Sequence, residues 1–92
     1  MGAYFVVYAL KNGDNENRLG ISISKKVGKA VTRNRIRRLV KESCRLKAKR
    51  IAKGYDIVIV ARHAAGSLGG SFQNVDKALE ALFGRLKLLT GR

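Results

Sequence analysis

The sequence predicts a small α+β domain: a mixed β-sheet containing a β-hairpin, a basic crossover helix, and a C-terminal helix that packs on the sheet. Three observations carry this reading. Two runs of strand composition, 3–10 and 18–24, flank a short turn-rich segment. A basic stretch then keeps apolar residues at helical spacing, and a nearly continuous apolar run follows it at 55–62.

Residues 3–10 (AYFVVYAL) are rich in β-branched and aromatic side chains and end at Asn12-Gly13-Asp14, a strong turn signal. Alternation puts Tyr4, Val6, Tyr8 and Leu10 on one side and Phe5, Val7 and Ala9 on the other. Tyr4 and Tyr8 then share a face, either as tyrosines at the edge of a core or as a surface on which bases stack. In residues 18–24 (RLGISIS), Leu19, Ile21 and Ile23 form the apolar side and Gly20, Ser22 and Ser24 the polar one. The short connection between the runs predicts an antiparallel hairpin.

Lys25 to Lys29 form a basic turn around Gly28. A helix follows, capped by Thr32 or a residue just before it and extending to about Lys49, with Lys53-Gly54 as its terminator. Residues 55–62 (YDIVIVAR) read as a central strand, parallel to its predecessor because a helix intervenes. Residues 64–71 form a loop. From Ser71 onward Val75, Ala78, Leu79, Leu82, Phe83, Leu86 and Leu89 recur at three and four, giving a core-packing helix. One domain, 1–92, accounts for the chain.

The charge is the unusual feature. The net charge is +14, and residues 18–53 hold 14 of the 20 basic residues against a single acid, Glu42. From Ser24 to Lys41, eight of eighteen residues are Lys or Arg, yet Val31, Ile36, Leu39 and Val40 keep a spacing that a helix could bury. With Asn34 at zero on a wheel of about 100° per residue, Lys41, Arg45, Arg38 and Arg37 gather on one side, and Ile36, Leu39, Val40 and Ser43 gather opposite. Between Lys25 and Arg38 there is no acid, so the repulsion is offset by nothing in the helix itself. An external polyanion would supply the missing charge, and a localised basic field on a folded domain points to nucleic acid or an anionic membrane surface.

Other chemistry finds little support. The acids Asp14, Glu16, Glu42, Asp56, Asp76 and Glu80 do not form the converging set that a two-metal nuclease needs. Lone Cys44 and lone His63 offer no zinc pattern; Cys44 reads as a partly buried small residue and His63 as a loop residue. A single cysteine allows no internal disulfide, and no apolar run reaches about 20 residues, so a reducing, cytoplasmic setting without membrane insertion is expected.

The run from Ile21 to Leu39, with its Ser24-Lys25-Lys26 turn leading into Arg33-Asn34-Arg35, closely resembles the bacterial ribonuclease P protein component. Tyr4 to Tyr8 and Asp56 to Arg62 look like strands of the same family, so the resemblance covers about residues 3–89. It implies a subunit of a ribonucleoprotein in which a catalytic RNA, with its own Mg2+, removes the 5′ leader from precursor tRNA. The protein itself would bind no cofactor and contribute no catalytic residue. By matching motif, Arg33, Asn34, Arg35, Arg37, Arg38 and Lys41 would lie against the catalytic RNA, with Lys25 and Lys26 near phosphates. Arg45 extends the same cationic side. Val6, Tyr8 and Ser22 would line a cleft for the single-stranded leader. The family also implies a left-handed crossover at the basic helix, against the general right-handed preference.

Members of that family begin with a basic helix and an extended segment ahead of the strand that starts here near Ala3. This sequence shows neither, so an uncovered sheet face is expected, filled by dimerisation or exchange of an element. Two other readings compete: a structural RNA-binding protein of the ribosomal kind, and a basic helix at an anionic membrane.

Overall fold

A computed structural model of the chain describes residues 4–68 and 71–89. Its elements are β1 (Phe5–Lys11), β2 (Arg18–Ile23), α1 (Ala30–Leu46), β3 (Tyr55–Ala61) and α2 (Phe72–Arg85), with 3₁₀ turns at Lys25–Val27 and His63–Leu68. The second of these turns replaces most of the predicted loop at 64–71; residues 69 and 70 lie outside the described residues.

The three strands form one mixed sheet in the order β1-β3-β2, with β3 antiparallel to β1 and parallel to β2. The central position of β3 follows from its sequence, since a strand paired on both edges and covered on one face needs the most apolar run. The predicted hairpin is corrected. β1 and β2 never pair, because β3 lies between them. A connection of six residues, 12–17, is long enough to cross two strand spacings of about 4.8 Å each.

The turn residues that suggested a hairpin instead clip this connection to the entry of β3. The Asn12 amide donates to Asp56 Oδ1 at 3.0 Å and its main-chain N–H donates to the Gly54 carbonyl at 2.9 Å. Asn17 donates to the Ala52 carbonyl at 3.0 Å and accepts from the Tyr55 N–H at 2.9 Å. Gly54 has φ of 90°, and a Cβ there would stand 2.9 Å from the Asp14 carbonyl oxygen, so the close approach of the two loops needs glycine.

Both helices pack on the same face of the sheet, over Phe5, Ile57, Ile59 and Ala61 from the strands. From α1 come Ile36, Val40 and Cys44, and from α2 come Val75, Leu79, Leu82 and Phe83. The predicted helix end at Lys49 shortens to Leu46; residues 47–50 continue as turns. The predicted Thr32 cap is also corrected: Lys29 occupies the N-cap position and no side chain caps the helix. α2 starts after Ser71, as the sequence predicts, and the Ser71 hydroxyl accepts from the Asn74 N–H; its end is corrected to Arg85, which leaves Leu86 exposed and Leu89 beyond the helix, bridged to Ile51.

Two polar residues, Ser43 and Lys47, penetrate this core. Lys47 is 2 % exposed. Its Nζ lies against the carboxylate of Asp76, donates to Ser43 Oγ at 2.8 Å, and stands 3.9 Å from Glu80. Ser43 in turn donates to Asp76 Oδ1 at 2.6 Å. This network joins the end of α1 to α2, and its closed hydrogen bonding is what makes a buried ammonium tolerable.

Candidate nucleic-acid interface

The outer side of α1 is built by the same residues that bury its inner side, so its position on the wheel matters. On about 100° per residue from Asn34, the buried residues Ile36, Val40, Ser43 and Lys47 centre near 210° rather than the predicted 180°. That rotation accounts for several departures together. Val31, expected inside, is 69 % exposed. Leu39 is only half-buried and Leu46 is exposed. Arg33 and Arg37 come round toward the sheet and are half-buried.

These two arginines act as tethers. Arg33 Nε donates to the Gly28 carbonyl at 3.2 Å, fastening α1 to the basic turn before it. Arg37 Nη1 donates to the Ile21 carbonyl at 3.1 Å, fastening it to β2. Each guanidinium keeps further N–H donors beyond the one so used. Asn34, Arg35, Arg38 and Lys41 remain exposed, and their side chains make no hydrogen bond or ion pair with another described residue. Arg45 is different: it holds Glu42 in a two-point contact, Nε to Oε1 at 3.0 Å. The hydrogen bond from Arg45 lowers the Glu42 pKa, and the same bond raises that of Arg45.

The N-terminal end of this face is electropositive for a second reason. The first turn of α1 has no acid and no side-chain cap, so the positive end of the helix dipole meets Lys29 and the Lys25–Val27 turn without compensation. Lys25 and Lys26 are exposed there, in a turn fixed by the Ser24 hydroxyl, which accepts from the Lys26 N–H at 3.1 Å. Lys29 was not among the predicted contacts, although the run of lysines that contains it pointed to this end.

A second surface lies on the opposite face of the sheet. Cross-strand register aligns Val6, Val60 and Ser22 in one row and Tyr8, Val58 and Gly20 in the next. The predicted cleft residues Val6, Tyr8 and Ser22 therefore do share a face, and β3 bridges them. Tyr8 is 59 % exposed and Val58 39 % exposed, with no described element over them. Val58 and Val60 were missed because the apolar run of β3 hides its alternation; Asp56 at the end of that side was the available signal. Tyr4 is corrected: it precedes β1 and packs against the core, so it does not share Tyr8's surface.

Among the described residues, no three His, Cys, Asp or Glu side chains group as a metal site, and no helix is long and apolar enough to cross a membrane. Cys44 is buried in the core, more fully than the partial burial expected, and desolvation pushes its thiol up to about 11. His63 opens the second 3₁₀ turn and is exposed.

A cationic helix on one side of a sheet and an open aromatic strand face on the other can be compared with known proteins. The family model described as Ribonuclease P matches residues 1–87. The chain belongs to the ribonuclease P protein family. The ribonuclease P protein component of Clostridioides difficile is 51 % identical over 83 residues, which cover 89 % of this chain and 71 % of that protein. That of Alkaliphilus oremlandii is 40 % identical over 84 residues, or 91 % of this chain and 72 % of the relative. The Staphylococcus aureus RNase P protein structure superposes with a TM-score of 0.88 at 33 % identity, covering 98 % of this chain and 81 % of that one. The RNase P protein from Thermotoga maritima superposes with a TM-score of 0.83 at 38 % identity, covering 92 % and 79 %. The α+β fold, with its mixed sheet and two main helices, is thus that of solved RNase P proteins.

Proposed function

We propose that the chain is the protein subunit of a ribonuclease P ribonucleoprotein and promotes 5′-end maturation of tRNA. The observation that carries this is the division of labour between its two faces. The outer side of α1, with Arg35, Arg38 and Lys41 exposed and unpaired among the described residues, suits the phosphates of a structured RNA. Asn34, Lys25 and Lys26 extend that contact, Arg33 and Arg37 contribute while holding the helix to the sheet, and Arg45 joins it on leaving Glu42. The open sheet face of Val6, Tyr8 and Ser22, floored by Val58 and Val60, suits the unstacked bases of the single-stranded leader.

In this reading the catalytic RNA and its bound Mg2+ carry out hydrolysis, and the protein holds the substrate strand. The uncovered sheet face is also where a second copy or an exchanged element would seat if the isolated protein self-associates. Reconstitution tests the function. At low magnesium, adding the chain to bacterial ribonuclease P RNA should restore cleavage of precursor tRNA at the mature 5′ end. An RNA whose activity is unchanged by the protein would overturn the proposal.

A further inference from the structure

A pocket of about 380 Å3 opens between the start of β2, the C-terminal half of α1 and the segment that follows it. Leu19, Ile51, Ile57 and Phe83 supply apolar walls. The last three are buried members of the core, while Leu19 is 43 % exposed. Lys41 and Arg45, both exposed, border the same pocket. Its volume falls in the range of about 300 to 1,000 Å3 that small-ligand sites occupy.

We propose that this pocket receives one unstacked nucleotide of the bound RNA, its base against Leu19 and Ile57 and its adjoining phosphates on Lys41 and Arg45. The inference rests on α1 being the RNA-binding helix. Two features select this occupant. The pocket is continuous with the cationic side of α1, because Lys41 and Arg45 belong to both. A nucleotide also carries an apolar planar ring between two anions, which matches apolar walls bordered by cations; an apolar peptide side chain would leave Lys41, which has no acidic partner among the described residues, unanswered. The polar neighbours are already engaged: Asn17 donates to the Ala52 carbonyl and accepts from the Tyr55 N–H, and Arg18 pairs with Asp14 and Asp56. Because the walls are apolar, acceptance should depend on shape and on burial of the ring more than on base identity.

Ala48 lines the pocket from the turn after α1 and is exposed, so a larger side chain there fills the space without entering the core. Binding of the ribonuclease P RNA is measured for the parent, Ala48→Ser and Ala48→Phe at several salt concentrations. The serine variant should bind like the parent. The phenylalanine variant should bind about ten-fold more weakly with an unchanged salt slope, since the base is evicted while every phosphate keeps its cation. Base-specific chemical probing should show one nucleotide protected in the parent complex and reactive in the Ala48→Phe complex. Undiminished affinity, a shallower salt slope, or identical probing patterns would each overturn the proposal. If the phenylalanine variant does not fold, Ala48→Leu serves under the same criteria. A parent that fails to bind the RNA at all sinks the assignment of α1, whereas parent binding with an unaffected Ala48→Phe variant sinks only the pocket.

Discussion

The ammonium of Lys47 is buried against the carboxylate of Asp76, so the end of the basic helix is fixed to α2 by a charge pair inside the protein. Removing Asp76 strands a buried ammonium, whereas removing Lys47 leaves a carboxylate that is 31 % exposed and reaches water. Asp76→Asn should cost about 3 kcal/mol or more in chemical denaturation, whereas Lys47→Met should be tolerated far better. Equal losses in the two variants would show that the stranded ammonium is not what makes the Asp76 substitution costly.

The same pair predicts a pH dependence. Desolvation raises the Asp76 pKa, but hydrogen bonds from Lys47 and Ser43, with the nearby charges of Lys47 and Arg50, outweigh it and hold the carboxyl below its ordinary value of 3.8. The unfolded chain therefore takes up a proton at higher pH than the folded one. The stabilisation is present in full above about pH 4 and is lost as the pH falls through the lowered folded value. Melting followed from about pH 6 down to about pH 2.5 should decline below about pH 4 in the parent and decline less in Asp76→Asn.

Exposed and tethering arginines should separate experimentally. Arg35→Ala and Arg38→Ala should leave the melting temperature nearly unchanged and flatten the salt dependence of RNA binding by about 0.7 to 0.9 log units for each phosphate left without its cation. Arg37→Ala, which also releases the Ile21 carbonyl, should in addition lower the melting temperature. Unaltered slopes for both exposed arginines would move the interface off α1.

Glu42 is an acid on the basic side of α1, and it occupies Arg45. Glu42→Gln should free that guanidinium and remove a repelling charge, so RNA affinity should rise several-fold and its salt slope should steepen. Weaker binding would mean that Glu42 positions Arg45 for the RNA instead of withholding it.

Gly66 lies against the Lys25–Val27 turn, and a Cβ there would stand 2.4 Å from the Val27 carbonyl oxygen. Gly66→Ala must displace the backbone of that turn. It should lower thermal stability and weaken RNA binding together, although residue 66 touches no RNA in the proposed complex. Wild-type behaviour in both assays would place the turn farther from Gly66.

The central strand and both helices were legible because an apolar run or a repeat at three and four records burial directly. Strand pairing was not. Alternation shows which way Val6 or Ile21 points but not which strand lies beside it, and Asn12-Gly13 looks alike whether it closes a hairpin or clips onto β3. The helical wheel put Asn34, Arg38, Lys41 and Arg45 on the exposed side of α1, where they lie, yet Arg33 and Arg37 bond to main-chain carbonyls, which have no sequence signature. Lys47 falls near the middle of the buried arc on the helical wheel. A lysine there was a signal that an acid from elsewhere must meet it, but nothing in the spacing identifies Asp76, 29 residues on.

Because, among the described residues, β1 and β2 each pair only with β3, neither flanking strand can acquire its ladder until residues 55–61 have left the ribosome. Until then the nascent chain carries two unpaired strands and a run of arginines. Both surfaces proposed to meet RNA are completed in one late event, the insertion of the middle strand.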